Sequence, residues 1–198
     1  LLLKYKKKVI IKMLFYDFEV FKYDWLVIIM DTDTHKTNVI INNPEELKNF
    51  YENNKLNIWC GYNSRGYDQY ILKGILCDFD PKEINDWIIV KHKMGWQYSS
   101  LFNRIQLFNY DVMTNRTQSL KQLEGFLGNN IKETNVPFNI DRKLTDEEIQ
   151  ETIKYCKSDV ENTMNVFIQR KEEFSSHMSL IKAFKLPLKY INKTQGYC

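Results

Sequence analysis

Asp17 and Glu19 stand two residues apart in Met13-Leu-Phe-Tyr-Asp17-Phe-Glu19-Val20. The run alternates with period two, as a strand does, so both carboxylates project from one face. Two acids side by side on a mostly apolar strand repel each other and are costly to desolvate unless a cation holds them. A hard divalent ion is the natural partner of carboxylate oxygen, and a solvated strand face is the plain alternative. Asp68 follows Gly61-Tyr-Asn63-Ser-Arg-Gly-Tyr67 at a strand-to-helix junction, where an acid can equally serve only as a cap. Tyr155 and Asp159 are i and i+4 on a long helix and share one side of it. That side is turned by about 100° from the apolar stripe, which places the pair where a helix borders a cleft. A surface tyrosine beside an acid is the plain reading there.

The elements that must position these groups follow from periodicity and caps. Leu14, Tyr16, Phe18 and Val20 form one face of the first strand; Phe15, Asp17 and Glu19 form the other. Trp25–Met30 is a continuous apolar run and Asn38–Ile41 a short β-branched one, with a turn between them, so a three-strand meander is expected. Asn43-Pro44-Glu45-Glu46 starts a helix, with Asn as cap and Pro at its first position. Leu47, Phe50 and Tyr51 make its inner face. Leu56–Tyr62 reads as a fourth strand, Asp68–Lys73 as the opening of a helix, and Gln106–Val112 as a fifth strand. Ser119-Leu-Lys-Gln122 and Thr145-Asp-Glu-Glu148 are capping boxes. The first opens a helix closed by Gly128. The second opens the long helix, with the stripe Ile149, Ile153, Cys156, Val160, Met164 and Phe167. Residues 129–143, with Pro137, read as a loop. Strands first, then alternating helices and strands, point to a mixed α/β layer fold.

Asp17-x-Glu19, Asn63-x₄-Asp68 and Tyr155-x₃-Asp159, in this order, resemble the three exonuclease motifs of the DEDDy 3′–5′ exonucleases. The surrounding Gly61-Tyr62-Asn63, Tyr67-Asp68, Ser119-Leu120, Leu127-Gly128 and Tyr155-Cys156 look like the proofreading domain of phage and other family B DNA polymerases. The resemblance runs from Met13 to about Phe174. It implies an α/β, ribonuclease H-like fold: a mixed five-stranded sheet flanked by helices. It further implies a metal-dependent 3′–5′ exonuclease, a hydrolase cutting phosphodiester bonds at the 3′ end of DNA with two divalent ions, Mg²⁺ or Mn²⁺. Carried over by motif, Asp17 bridges both ions, Glu19 and Asp159 complete the site that activates water, Asp68 helps hold the second ion, and Tyr155 orients the water. Asn63 binds the terminal nucleotide or holds its loop. Phe18 and Phe21 either stack at the terminal base or pack in the core. Arg65, Lys91, Lys93, Lys121, Arg142 and Lys143 are candidate phosphate contacts. The implied partners are single-stranded DNA or a frayed 3′ end, and a polymerase region or replication proteins; the implied setting is the cytoplasm of a bacterial host. Two other readings remain: an exoribonuclease of the same superfamily, and a catalytically silent nucleic-acid-binding domain.

Composition sets the outer bounds. A chain of 198 residues with 43% hydrophobic content suits one domain with a real core. No stretch reaches the ~20 apolar residues of a membrane span. The net charge is +3, yet residues 1–12 carry five lysines and no acid, so from Met13 onward 23 basic residues face 25 acidic ones, a net of −2. A chain-wide basic field is therefore absent. Cys60, Cys77, Cys156 and Cys198 are far apart with no CxxC pair, which predicts reduced thiols. The expected organisation is a basic tail at 1–12, the exonuclease domain at 13–175 and a connector or tail at 176–198. In one reading Met13 is the natural start; in the other Val9–Ile11 prolongs the first strand.

Overall fold

The computed structural model describes residues 11–113, 120 and 134–193. Strands β1 (Met13–Val20), β2 (Trp25–Asp31) and β3 (Thr37–Ile41) form the meander, followed by α1 (Pro44–Asn54), β4 (Ile58–Gly61) and α2 (Asp68–Leu76). After α3 (Pro81–Asn85), a π-helical turn (Asp86–Val90) and two 3₁₀ turns lead to β5 (Phe108–Asp111). The chain then contributes α4 (Asp146–Gln169), α5 (Lys171–Ala183) and a 3₁₀ turn at Leu188–Asn192. Apart from Leu120, the helix expected from Ser119 to Gly128 lies outside the described residues.

The five strands run in the order β3-β2-β1-β4-β5. The meander is antiparallel, while β4 runs parallel to β1 and β5 parallel to β4. Pairing between β1 and β4 ends at Phe15 opposite Cys60, although β1 continues to Val20. Beyond that point β1 is no longer paired with β4, and the carboxyl ends of such parallel strands are the usual place for a site. Asp17 and Glu19 lie on the part of β1 that has left β4 and stays paired with β2, opposite Ile28 and Leu26.

Both faces of the sheet are covered, which is why β2 reads as an unbroken apolar run. Leu14, Tyr16, Phe18 and Val20 face Leu47 and Tyr51 of α1 and Ile71, Leu72 and Ile75 of α2. Phe15, Ile28, Ile58, Cys60 and Tyr110 face Cys156, Val160 and Val166 of α4 and Ile181 of α5. The caps have their expected chemistry. Asn43 Oδ1 accepts from the Glu46 amide at 3.1 Å, and Thr145 and Glu148 exchange bonds at 3.2 and 2.8 Å. On α4, Ile149 leaves the expected stripe and packs instead in a third cluster with Phe21, Val136 and Leu144. Thr152 and Thr163 are buried on α4 because each hydroxyl bonds back to the carbonyl four residues earlier, at 2.8 Å.

Position 175 falls inside α5, and the chain beyond it is part of the packed body: Ile181 and Ile191 are buried. Asn192 serves the open edge of β5 in place of a strand, accepting from the Asn109 amide at 2.9 Å and donating to the Leu107 carbonyl at 2.7 Å. The reason is physical, since an exposed edge strand leaves its backbone groups unpaired. At the other end Lys12 already belongs to the sheet, because its carbonyl accepts from Ile58 at 2.9 Å. Among the described residues no helix is long and apolar enough to cross a membrane.

Candidate metal centre

Strand alternation turns Asp17 and Glu19 toward α4. There a carboxylate oxygen of each and the Cys156 sulfur all lie within 4.8 Å of one another. Cys156 belongs to the buried stripe of α4, and its thiol sits 3.4 Å from Asp17 Oδ2. Its neighbour Tyr155 hydrogen-bonds Asp159, one turn along the same helix. Burial, and then the charges of Asp159 and Glu19, push the Tyr155 phenol far above its ordinary value, so it remains a neutral donor.

Asp68 comes from the other side of the sheet's open end. It is the first residue of α2 and only 3% exposed, and its Oδ1 accepts from the Phe18 amide at 3.0 Å. Phe18 lies between the two acids of β1, so this bond ties the start of α2 to the middle of the acidic pair. Burial pushes the Asp68 carboxyl up to about 7, against the pull of the Phe18 amide. Asp17 is held well above the carboxylate range, first by burial and then by the charges of Asp68, Glu19 and Asp159. Four acids from three distant stretches thus act on one another around Asp17.

The turn that delivers Asp68 is built for tight passage. A Cβ on Gly61 would lie 2.6 Å from that of Ser64, so only glycine fits. Asn63 adopts φ 56°, a left-handed conformation that asparagine tolerates. Its carbonyl accepts from the amides of Gly66 and Tyr67 at 2.9 and 3.2 Å. Asn63 therefore holds its loop; its side chain is exposed.

Sequence reasoning passes over Asp111. It is 5% exposed at the carboxyl end of β5 and accepts from the amides of Arg65 at 3.0 Å and Met113 at 2.9 Å, anchoring the turn that carries Asp68. Burial raises its carboxyl, and these amides oppose the rise. The available signal is an acid ending an apolar strand beside β4. Cys156 reads in the sequence only as part of an apolar stripe, although its sulfur contacts Asp17.

The stacking role expected of Phe18 and Phe21 gives way to packing. Phe18 lies on the sheet face opposite Asp17 and packs against Trp25, with ring centroids 6.3 Å apart. Phe21 stacks on Phe138 at 5.2 Å inside the third cluster. Neither ring, both nearly fully buried, presents a face to a base. Among the basic candidates, Arg65 donates to the Asn192 carbonyl at 3.1 Å and Arg142 grips Glu148 at 2.7 and 2.9 Å. Lys91, Lys93 and Lys143 are exposed, and Lys121 lies outside the described residues.

The donors suit a hard divalent ion. They are carboxylate oxygens, and no lysine or arginine ion pair reaches Asp17 or Asp68 among the described residues. Burial and the neighbouring acids push the Cys156 thiol up, so it serves as a hydrogen-bond donor and offers no thiolate.

A mixed sheet with an acidic cluster at the open carboxyl ends of its parallel strands defines the class: an α/β domain of ribonuclease H-like fold. Among solved structures the chain is similar to the family B DNA polymerase from the hyperthermophilic archaeon Pyrobaculum calidifontis, at 13% identity and a TM-score of 0.57. The match covers 92% of this chain and 27% of that one, so the chain spans about a quarter of the polymerase's length. At this identity the likeness is one of fold. No protein-family model and no curated protein matches the sequence.

Proposed function

We propose that the chain is a metal-dependent 3′–5′ exonuclease of the DEDDy type, hydrolysing phosphodiester bonds at the 3′ end of single-stranded or frayed DNA in a proofreading role. The observation that supports this reading is the convergence of buried Glu19 and Asp68 with half-buried Asp17 and Asp159 in one mutually repelling set, with the Tyr155 hydroxyl on Asp159. These four carboxylates would hold two divalent ions, Mg²⁺ or Mn²⁺. When bound, such ions lower the pKa of water and neutralise charge on the phosphate and leaving oxygen.

The protein's own groups act by orientation. Cys156 donates to Asp17 and fixes the carboxylate that faces the others. The Phe18 amide does the same for Asp68. Tyr155, a neutral phenol, holds Asp159 and offers its oxygen to a water or phosphate at the cleft edge. No histidine base is required in this reading; His177 packs against Tyr110.

The test is incubation with Mg²⁺ or Mn²⁺ and 5′-labelled single-stranded DNA or RNA of equal sequence. The expected result is a metal-dependent ladder from the 3′ end, with DNA preferred. A preference for RNA would replace the substrate, and no release from either would overturn the enzyme reading.

A further inference from the structure

We propose that the surface around Val90–Trp96 is a second, non-catalytic binding platform for single-stranded nucleic acid, with Lys91 and Lys93 on phosphates and Trp96 stacked on a base. From Trp87 to Tyr110 the sequence contains no acid, while it carries Lys91, Lys93 and Arg104. In a domain that is net acidic from Met13 onward, this stretch is of opposite sign. The same stretch exposes large apolar groups: Val90 is 65% exposed, Met94 57% and Trp96 61%. Gathered exposure of this kind marks a binding surface rather than ordinary scatter.

The segment is built to hold its shape. A π-helical turn, a form frequent at functional sites, leads into it. The Lys93 amide donates to the Trp87 carbonyl and the Trp87 indole N–H donates to the Met94 carbonyl, both at 3.1 Å. Gly95 lies flat on Tyr70, where a Cβ would come within 2.2 Å of the ring. The ammonium groups of Lys93 and Lys91 lie 4.2 and 5.8 Å from the centre of the same Trp87 ring. Neither lysine makes an ion pair among the described residues. Two cations are therefore positioned over an aromatic scaffold; Lys91 also lies in the field of Asp86, while no acid is paired with Lys93 among the described residues.

Charge complementarity selects the occupant. Repeating phosphates suit the paired cations, and base faces suit an exposed indole regardless of sequence. A protein partner seated through the apolar groups alone would leave the Lys93 ammonium without a counterion. The platform also belongs to the same body as the acids. Asn85, at the end of α3, accepts from the Tyr67 hydroxyl at 2.8 Å, and Tyr67 lies in the field of Asp68, Glu19 and Asp17. The platform's role, to retain a strand whose end is being trimmed, rests on the exonuclease reading; its binding does not.

The experiment is fluorescence anisotropy of the full chain with labelled oligothymidylate in EDTA, where no hydrolysis occurs. Trp96→Ala is expected to weaken binding by about fivefold to a hundredfold, as removal of one base stack would. Lys91→Glu with Lys93→Glu should weaken it further and flatten the log–log salt slope by about 1.4, at roughly 0.7 for each phosphate no longer neutralised. Circular dichroism checks that each variant is folded. Wild-type affinity and salt slope in both folded variants, or no oligonucleotide binding by the wild type, would overturn the proposal. Hydrolysis of thymidine 5′-monophosphate p-nitrophenyl ester by the wild type with Mn²⁺, measured in parallel, reports on the acids alone. A failed platform and a failed active site are thereby told apart.

Discussion

The Cys156 sulfur lies 3.4 Å from both the backbone carbonyl and the Oδ2 of Asp17, residues separated by 139 positions. This contact is where α4 meets β1, and it makes a core residue the orienting partner of an acid. Cys156→Ala removes the donor and leaves a void in a fully buried position, so stability is expected to fall by about 1–3 kcal/mol in urea denaturation. Hydrolysis should fall with it. Cys156→Ser keeps a donor and should retain more activity than the alanine variant; equal loss in both would argue against the orienting role.

Asp17→Asn is expected to abolish metal-dependent hydrolysis without lowering the melting temperature of the metal-free protein. The substitution deletes one of several like charges that oppose burial. Asp159→Ala should be equally inactive. Tyr155→Phe loses only the hydroxyl on Asp159 and should slow hydrolysis by about tenfold to a hundredfold, as expected for one hydrogen bond to a charged group. An unchanged rate in Asp17→Asn would remove these acids from the mechanism.

The raised carboxyl of Asp68, near 7 against an ordinary 3.8, and that of Asp17 give a pH dependence of definite sign. Between those values the folded state binds more protons than the unfolded one, so these groups make stability fall as pH rises. In EDTA the melting temperature should be lower at pH 8 than at pH 5. Asp31 and Asp86, whose carboxyls are lowered, act oppositely but only below that window. A divalent ion binds the ionised set, so Mn²⁺ should stabilise more at pH 8 than at pH 5. At a hundred times its dissociation constant the gain is about 2.7 kcal/mol. Equal Mn²⁺ effects at both pH values would contradict the cluster as the metal site.

Asp111→Ala leaves the buried side of two amides, those of Arg65 and Met113, without an acceptor. The expected loss is about 2–4 kcal/mol. Because the freed turn carries Asp68, the Mn²⁺ concentration for half-maximal hydrolysis should rise as well. Asp111→Asn keeps an acceptor and should show both effects more weakly. A stability loss with unchanged metal dependence would confine Asp111 to the fold.

Asn192→Ala tests whether the chain beyond α5 belongs to the domain. It removes the two bonds at the β5 edge, and about 1–3 kcal/mol should be lost. Concentration-dependent association, read by light scattering, should follow from the uncovered edge. Wild-type stability would return this segment to the status of a connector.

Local periods and caps in the sequence determined the elements around the centre. Alternation assigned Asp17 and Glu19 to one face of β1. Asn43 and Thr145 marked two helix starts, and the spacing of Tyr155 and Asp159 put both on one side of α4. These are relations between residues within a turn or a strand of one another, and side-chain chemistry at that range is decided by period alone. What covers a face is decided by residues far away. Nothing near Phe18 or Phe21 in the chain announces that α1, α2 and the 134–144 segment close over them. Nothing near Asp111 reveals that its carboxyl caps the amides of a turn 46 positions earlier. The early end of the β1–β4 pairing, the thiol of Cys156 on Asp17 and the docking of Asn192 on β5 likewise belong to tertiary packing. There the burial of one segment by another sets the dielectric, the hydrogen-bond partner and the charge state.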